Sequence, residues 1–190
     1  MRREKKEELN YYIHEYTPLQ IVKSLNSRDY EVERYGCGLE NGEIIFREKV
    51  VKNYQSDYGV QLLPITDDDQ ILLEVKPTIF KNRPVSISLP VGFLDSKEWY
   101  GQTAQRVLLR LGCQSKNIHE ICDFTSTEDY SAAHYKGLLA DNCIPIRSTD
   151  VPVFECSFDE LIELIDLGYV PDAGSQLMVE KGKQYIKRRY

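Results

Sequence analysis

The stretch Leu89–Cys113, LPVGFLDSKEWYGQTAQRVLLRLGC, constrains this chain more than any other. Gly92 is followed by five residues and then Glu98, Glu98 by seven residues and then Arg106, and Gly112 closes the segment. Ala104, Val107, Leu108 and Leu111 recur at i, i+3, i+4 and i+7. That is the spacing of a buried helical stripe, and it predicts a helix over roughly Trp99–Leu111. Arg106 and Arg110 stand at i, i+4, so they neighbour each other on the helix surface. No carboxylate falls within the helix; Asp95 and Glu98 precede it.

The flanking segments read mostly as strands. Tyr30–Cys37 and Glu43–Val51 are rich in β-formers and flank Glu40-Asn41-Gly42, a hairpin signal. Tyr58–Ile65 and Gln70–Val75 form a second pair around Thr66-Asp67-Asp68-Asp69, whose acids read as a solvated turn rather than a metal site. Val85–Leu89, Asn117–Thr125, Ala133–Ala140 and Val151–Cys156 read as further strands. Ser157 and Glu160 make a capping-box pattern ahead of an apolar helix that Gly168 stops, and Pro171-Asp172 opens a last helix to about Tyr185. Residues 1–28 are charged, then aromatic, with a break at Pro18; they read as a helical segment or as a flexible, partner-docking arm. The chain therefore divides into 1–28, the antiparallel strands of 29–57, and a main domain over 58–190.

A net charge of −6 and a pI near 5.2 do not indicate a nucleic-acid partner. No apolar run approaches a membrane span, and no apolar signal region follows the charged N-terminus, so a cytoplasmic protein is expected. The 5 cysteines are odd in number and none are spaced Cys-x-x-Cys, which argues against a disulfide frame and against zinc. His14, His119 and His134 show no ligand spacing.

The Gly–Glu–Arg–Gly skeleton resembles the box of the Nudix superfamily, in which Arg is followed by Glu and then, past two residues, by Glu-Glu. The approach Ser88-Leu89-Pro90-Val91-Gly92 and the ending SFDELIELIDLGYVPDAGSQLMVEKG are similar to the ADP-ribose pyrophosphatase branch, over about Tyr30–Tyr185. The resemblance implies an α+β fold, an α/β/α sandwich around a mixed sheet, with an N-terminal antiparallel sheet that pairs in a homodimer. It also implies diphosphate cleavage through Mg²⁺ or Mn²⁺. A hard dication needs several oxygen ligands, and it activates the attacking water. Here the carboxylate positions of the box are Val107, Arg110 and Leu111, Gly112 comes one residue early, and the Glu before Leu-Pro is Ser88.

The expectation is a degenerate box: no metal, no cofactor, impaired catalysis, and a role as a nucleotide-diphosphate-binding or dimeric scaffold domain. The ligand would be ADP-ribose-like or a nucleotide sugar. Arg110 would meet a phosphate as a planar fork, or lie on a solvated face. Lys76, near the family's phosphate-facing Arg, the backbone of Val91, and Arg106, structural in the family, complete the candidate binding set. Phe80, Tyr130 or Tyr135 could stack a base. An alternative is a divergent hydrolase, with Glu98 and Glu128 catalytic and Asp95 or Asp129 nearby, using a weak Mg²⁺ or Mn²⁺ site. A third reading is an interaction protein recruiting its partner through residues 1–28.

Overall fold

A computed structural model describes residues 7, 30–38, 44–52, 56–77, 85–125 and 133–189, with side chains described for residue 7 and for those from 56 to 188. The N-terminal segment is thus outside the described residues apart from Glu7, as are Phe80, Glu128, Asp129 and Tyr130.

β1 (Tyr30–Gly38) and β2 (Ile44–Lys52) pair antiparallel, from Tyr30 opposite Lys52 to Gly38 opposite Ile44, and form a sheet of their own. The remaining strands make one mixed sheet organised around β3 (Tyr58–Thr66). β3 is apolar on both faces: Val60 and Leu62 point one way, Leu63 and Ile65 the other, and all four are buried. A strand with two buried faces belongs at the centre of a sheet covered on both sides.

One edge of β3 pairs in parallel with β9 (His134–Pro145). The other edge is shared. β6 (Val91–Phe93) pairs antiparallel with its start, at Gly59, Val60 and Gln61. β4 (Ile71–Pro77) pairs with its end, at Ile65 opposite Ile71. Beyond that point β4 leaves β3 and is met by β5 (Val85–Ser88) and β10 (Val153–Cys156). The sheet is therefore split between β4 and β6. β8 (Asn117–Thr125) and the short β7 (Cys113–Gln114) both add to β9.

Helix α1 (Tyr100–Arg110) covers one face, burying Thr103, Ala104, Val107 and Leu108 against Val60, Leu62 and Leu72. Helices α2 (Phe158–Asp166) and α3 (Ala173–Arg189) belong to the opposite face, where Leu161, Leu164, Met178 and Val179 meet Leu63, Leu73 and Leu139. This is the expected α/β/α arrangement. Gly92 shows how closely α1 approaches the sheet: a Cβ there would lie 2.5 Å from Val107 Cγ2.

Local signals behave as read. Ser157 Oγ accepts from the Glu160 N–H while Glu160 accepts from the Ser157 N–H, closing the capping box. Thr66–Asp69 is a turn with Asp69 at φ 60. Three strands differ from the reading, and the last helix runs to Arg189 rather than to about Tyr185. β6 was expected only as an approach to the box, β7 was not expected, and β9 runs on to Pro145 through Asn142 at φ 51, past the expected end at Ala140. Strands of two or three residues are too short to display a period, and a left-handed Asn reads as a stop.

Candidate functional site

Two polar clusters sit along the flank of α1 that faces β6 and β4. The first holds Glu98 and Arg106. Glu98 ends the loop before α1, and its carboxylate folds back over the first turns. Arg106 donates to it through Nε (3.0 Å to Oε1) and Nη2 (2.7 Å to Oε2), a bidentate pair. The Thr103 hydroxyl (2.9 Å) and the Asp95 N–H (3.3 Å) also donate to Oε2. Arg106 Nη2 further donates to the Phe93 carbonyl at 2.7 Å. The eight-residue step from Glu98 to Arg106 thus staples the Phe93–Glu98 loop to the helix, the structural role that the resemblance implies for this Arg.

Arg106's hydrogen bonds lead in holding the Glu98 carboxyl down at about 2; Thr103 and the Asp95 amide add to this, and desolvation opposes it. A carboxylate with four donors and so low a pKa is a weak base. It also carries a pH signature. Because the folded value lies below the ordinary value of 4.5, Glu98's contribution to stability is complete above about 4.5 and is lost as pH falls towards 2. Carbon-detected NMR is expected to show Glu98 titrating near 2, and Glu98→Gln should flatten the acid limb of the denaturation profile. A Glu98 midpoint near 4.5 would contradict the pairing.

The second cluster bridges the split sheet. Alternation along β4 puts Leu72, Glu74 and Lys76 on the face covered by α1. Glu74 is 2% exposed, a carboxylate in the middle of the apolar run Ile71–Val75. A buried carboxylate needs cations, and it has two: Arg110 Nη2 from α1, and Lys76 Nζ at 2.7 Å. The same Arg110 Nη2 donates to the Val91 carbonyl of β6 at 3.0 Å. One guanidinium therefore ties β4 to β6 across the gap, while Arg110 Nε is buried without a partner. Arg110 and Lys76 stay 34% and 44% exposed, so the cluster of one anion and two cations shows a positive face to solvent.

The structure thus brings together three of the expected binding positions, Arg110, Lys76 and the Val91 backbone. It sets Glu98 and Arg106 beside each other on the same helix flank. Tyr135, expected as a base-stacking ring, is instead packed between Phe93 (5.7 Å between centroids) and Phe124 (5.5 Å). Burial there raises its phenol pKa. Glu74 was missed. Its sequence signal is the lone carboxylate within ILLEV, where the pattern allows no solvent-facing position.

A divalent cation does not fit this donor set. The Val91 carbonyl already accepts from Arg110, and Glu74 is flanked by two positive groups. Among the described residues, no cluster of three or more His, Cys, Asp or Glu stands close enough to hold a metal ion. No described helix is long and apolar enough to cross a membrane.

The architecture is α+β, a mixed sheet with helices on both faces. No family model matches the chain, and no curated protein does. Among solved structures, it is similar to the crystal structure of an ADP compounds hydrolase, with a TM-score of 0.74 and 16% identity over 92% of this chain and 95% of that one. It is also similar to the solution structure of the E. coli ORF135 protein, with a TM-score of 0.52 and 16% identity over 70% of this chain and 91% of that one. At such identity the likeness is one of fold.

Proposed function

We propose that this chain is a Nudix-fold protein that binds a nucleoside diphosphate derivative, ADP-ribose or a nucleotide sugar, without a metal and without hydrolysing it. The observation that carries this reading is the Arg110 guanidinium seated on the Val91 carbonyl and Glu74. There a fixed cation takes the place of a mobile one. A bound dication would polarise the phosphate and generate a nucleophilic water. A guanidinium does neither, but it is a fixed positive charge that a phosphate can meet directly, and Lys76 adds a second positive group beside it. The low pKa of Glu98 supports the loss of turnover, because that carboxylate is committed to Arg106. The fold shared with an ADP compounds hydrolase supports an ADP-containing ligand.

Calorimetric titration of ADP-ribose into the protein tests the reading. A saturating isotherm that Mg²⁺ does not change, weakened in Lys76→Ala, is expected. Sustained heat and product release only with Mg²⁺ would overturn it in favour of a divergent hydrolase. We further propose a homodimer through the β1–β2 sheet. An isolated two-stranded hairpin is marginal in water, which supports its packing on another surface. Light-scattering mass in solution checks this.

A further inference from the structure

Helix α1 has a second flank, turned away from Glu74 and towards β8. There Gln105 and Leu109 face Lys116 and Ile118 across an open groove of about 800 Å³, with Trp99 and Tyr100 at one end. Neither Arg110, Glu74, Lys76 nor Val91 lines it. The volume is of the size that holds small ligands, roughly 300–1,000 Å³.

The notable feature is how Trp99 is held. Its indole is 65% exposed and lies across the first turn of α1 directly over Gly101. A Cβ on residue 101 would stand 2.2 Å from Trp99 Cη2 and Cζ3, so the ring can adopt this pose only because residue 101 has no side chain. Glycine is a poor helix former, and the ring it seats contributes little to the core. An aromatic platform with an open face, set at the end of a groove, is how proteins stack planar ligands. The charges along the groove complete the description. Lys136 is already engaged: its ammonium sits 5.2 Å from the Tyr100 ring centroid and pairs with Glu120 at 2.7 Å and Asp123 at 3.4 Å. Arg106 is bound to Glu98. Lys116 is exposed and forms no ion pair among the described residues.

We propose that this groove is a second binding site, for a small planar aromatic anion stacked on the Trp99 indole with its charge turned to Lys116. It is independent of the ligand proposed at Arg110. A nucleoside monophosphate and an aromatic carboxylate share this chemistry, and the test separates them.

Trp99 is the chain's one tryptophan, so its fluorescence reports on this groove alone. We would titrate the full chain separately with adenosine monophosphate and with benzoate. The expected result is saturable quenching by at least one probe, which identifies the source. Affinity should fall by roughly tenfold, the size of one lost stacking or charge contact, in Gly101→Ala, which displaces the indole, and in the surface variant Lys116→Glu. Arg110→Met should leave it unchanged. A thermal midpoint for Gly101→Ala no lower than that of the parent would show that the glycine does not serve the fold. Absence of quenching by both probes, or quenching that survives both groove variants, would overturn the proposal. So would quenching abolished by Arg110→Met, because the ligand would then belong to the split-sheet site.

Discussion

The Arg110→Glu variant is expected to lose metal-independent ligand binding and to become dependent on Mn²⁺ or Mg²⁺ for its stability. The substitution takes a cation away from a carboxylate that is 2% exposed and puts an anion in its place. Breaking a buried ion pair by removing one partner costs about 3–5 kcal/mol. Because Arg110 is a third exposed and Lys76 remains on Glu74, we expect the lower end, about 3 kcal/mol. For a chain of this size that lowers the thermal midpoint by roughly 6–12 °C. The new carboxylate, Glu74 and the Val91 carbonyl would then offer oxygen donors of the kind that a hard dication prefers. A metal present at a hundredfold excess over its dissociation constant returns about 2.7 kcal/mol. Thermal melts with and without Mn²⁺ decide it, with Arg110→Met as the comparison: that variant should melt low in both conditions. If Mn²⁺ fails to raise the midpoint of Arg110→Glu above that of Arg110→Met, the guanidinium does not occupy a cation position.

Gly112→Ala should be nearly as damaging, for a different reason. Gly112 follows the end of α1 at φ 74, a left-handed conformation that costs an L-residue about 1–2 kcal/mol. A Cβ there would also stand 2.5 Å from the Arg147 carbonyl oxygen and 3.2 Å from the Ser148 carbonyl carbon. These are backbone atoms, and they are pinned: Gly112 O accepts from the Ile146 (2.8 Å) and Arg147 (3.2 Å) amides, and Arg147 donates to Leu109 O through Nε (3.0 Å) and Nη2 (2.7 Å). Overpacking adds about 1–3 kcal/mol, for a total near 3 kcal/mol. Gly168 is the internal control. It stands at φ 73 after α2 and its amide donates to Ile165 O at 2.8 Å, while the Tyr169 amide donates to Leu164 O at 2.9 Å, but it is exposed. Gly168→Ala should cost only the conformational part, about 1 kcal/mol. Urea denaturation of both variants tests this. Equal losses would mean that the approach of Arg147 is not rigid.

These two glycines and the arginine show what the sequence could and could not reveal. Gly92, Glu98 and Arg106 were legible because their spacing follows from one loop folding back onto one helix, a local arrangement. Ser157–Glu160 and Gly168 were legible for the same reason. Gly112 was legible as a glycine out of step with the family's box. Its use as a left-handed helix terminus was not, because φ depends on what the chain does next. Arg110 was read as either a solvated side chain or a phosphate contact. Its bonds to Glu74 and Val91 join an α-helix to two strands that are far apart in sequence, and no periodicity encodes such a contact. The Trp99–Gly101 platform was overlooked as well. Its signal, a glycine just after two aromatics at a helix start, is plain only once the ring's direction is known.

The order in which β3 acquires its neighbours has a consequence for how the chain reaches this structure. β4 and β6 arrive soon after β3, but its parallel partner β9 follows only after β4, β5, β6, α1, β7 and β8. Until His134–Pro145 has emerged, β3, apolar on both faces, has one bare edge, open to any other extended chain. Closing so long a loop before its contacts repay it makes folding slow, with the late step in the centre of the sheet rather than at its rim. A growing chain would therefore pass through its most aggregation-prone state late in synthesis, when much of α1's apolar face is already made but the strand that unites both cores is not.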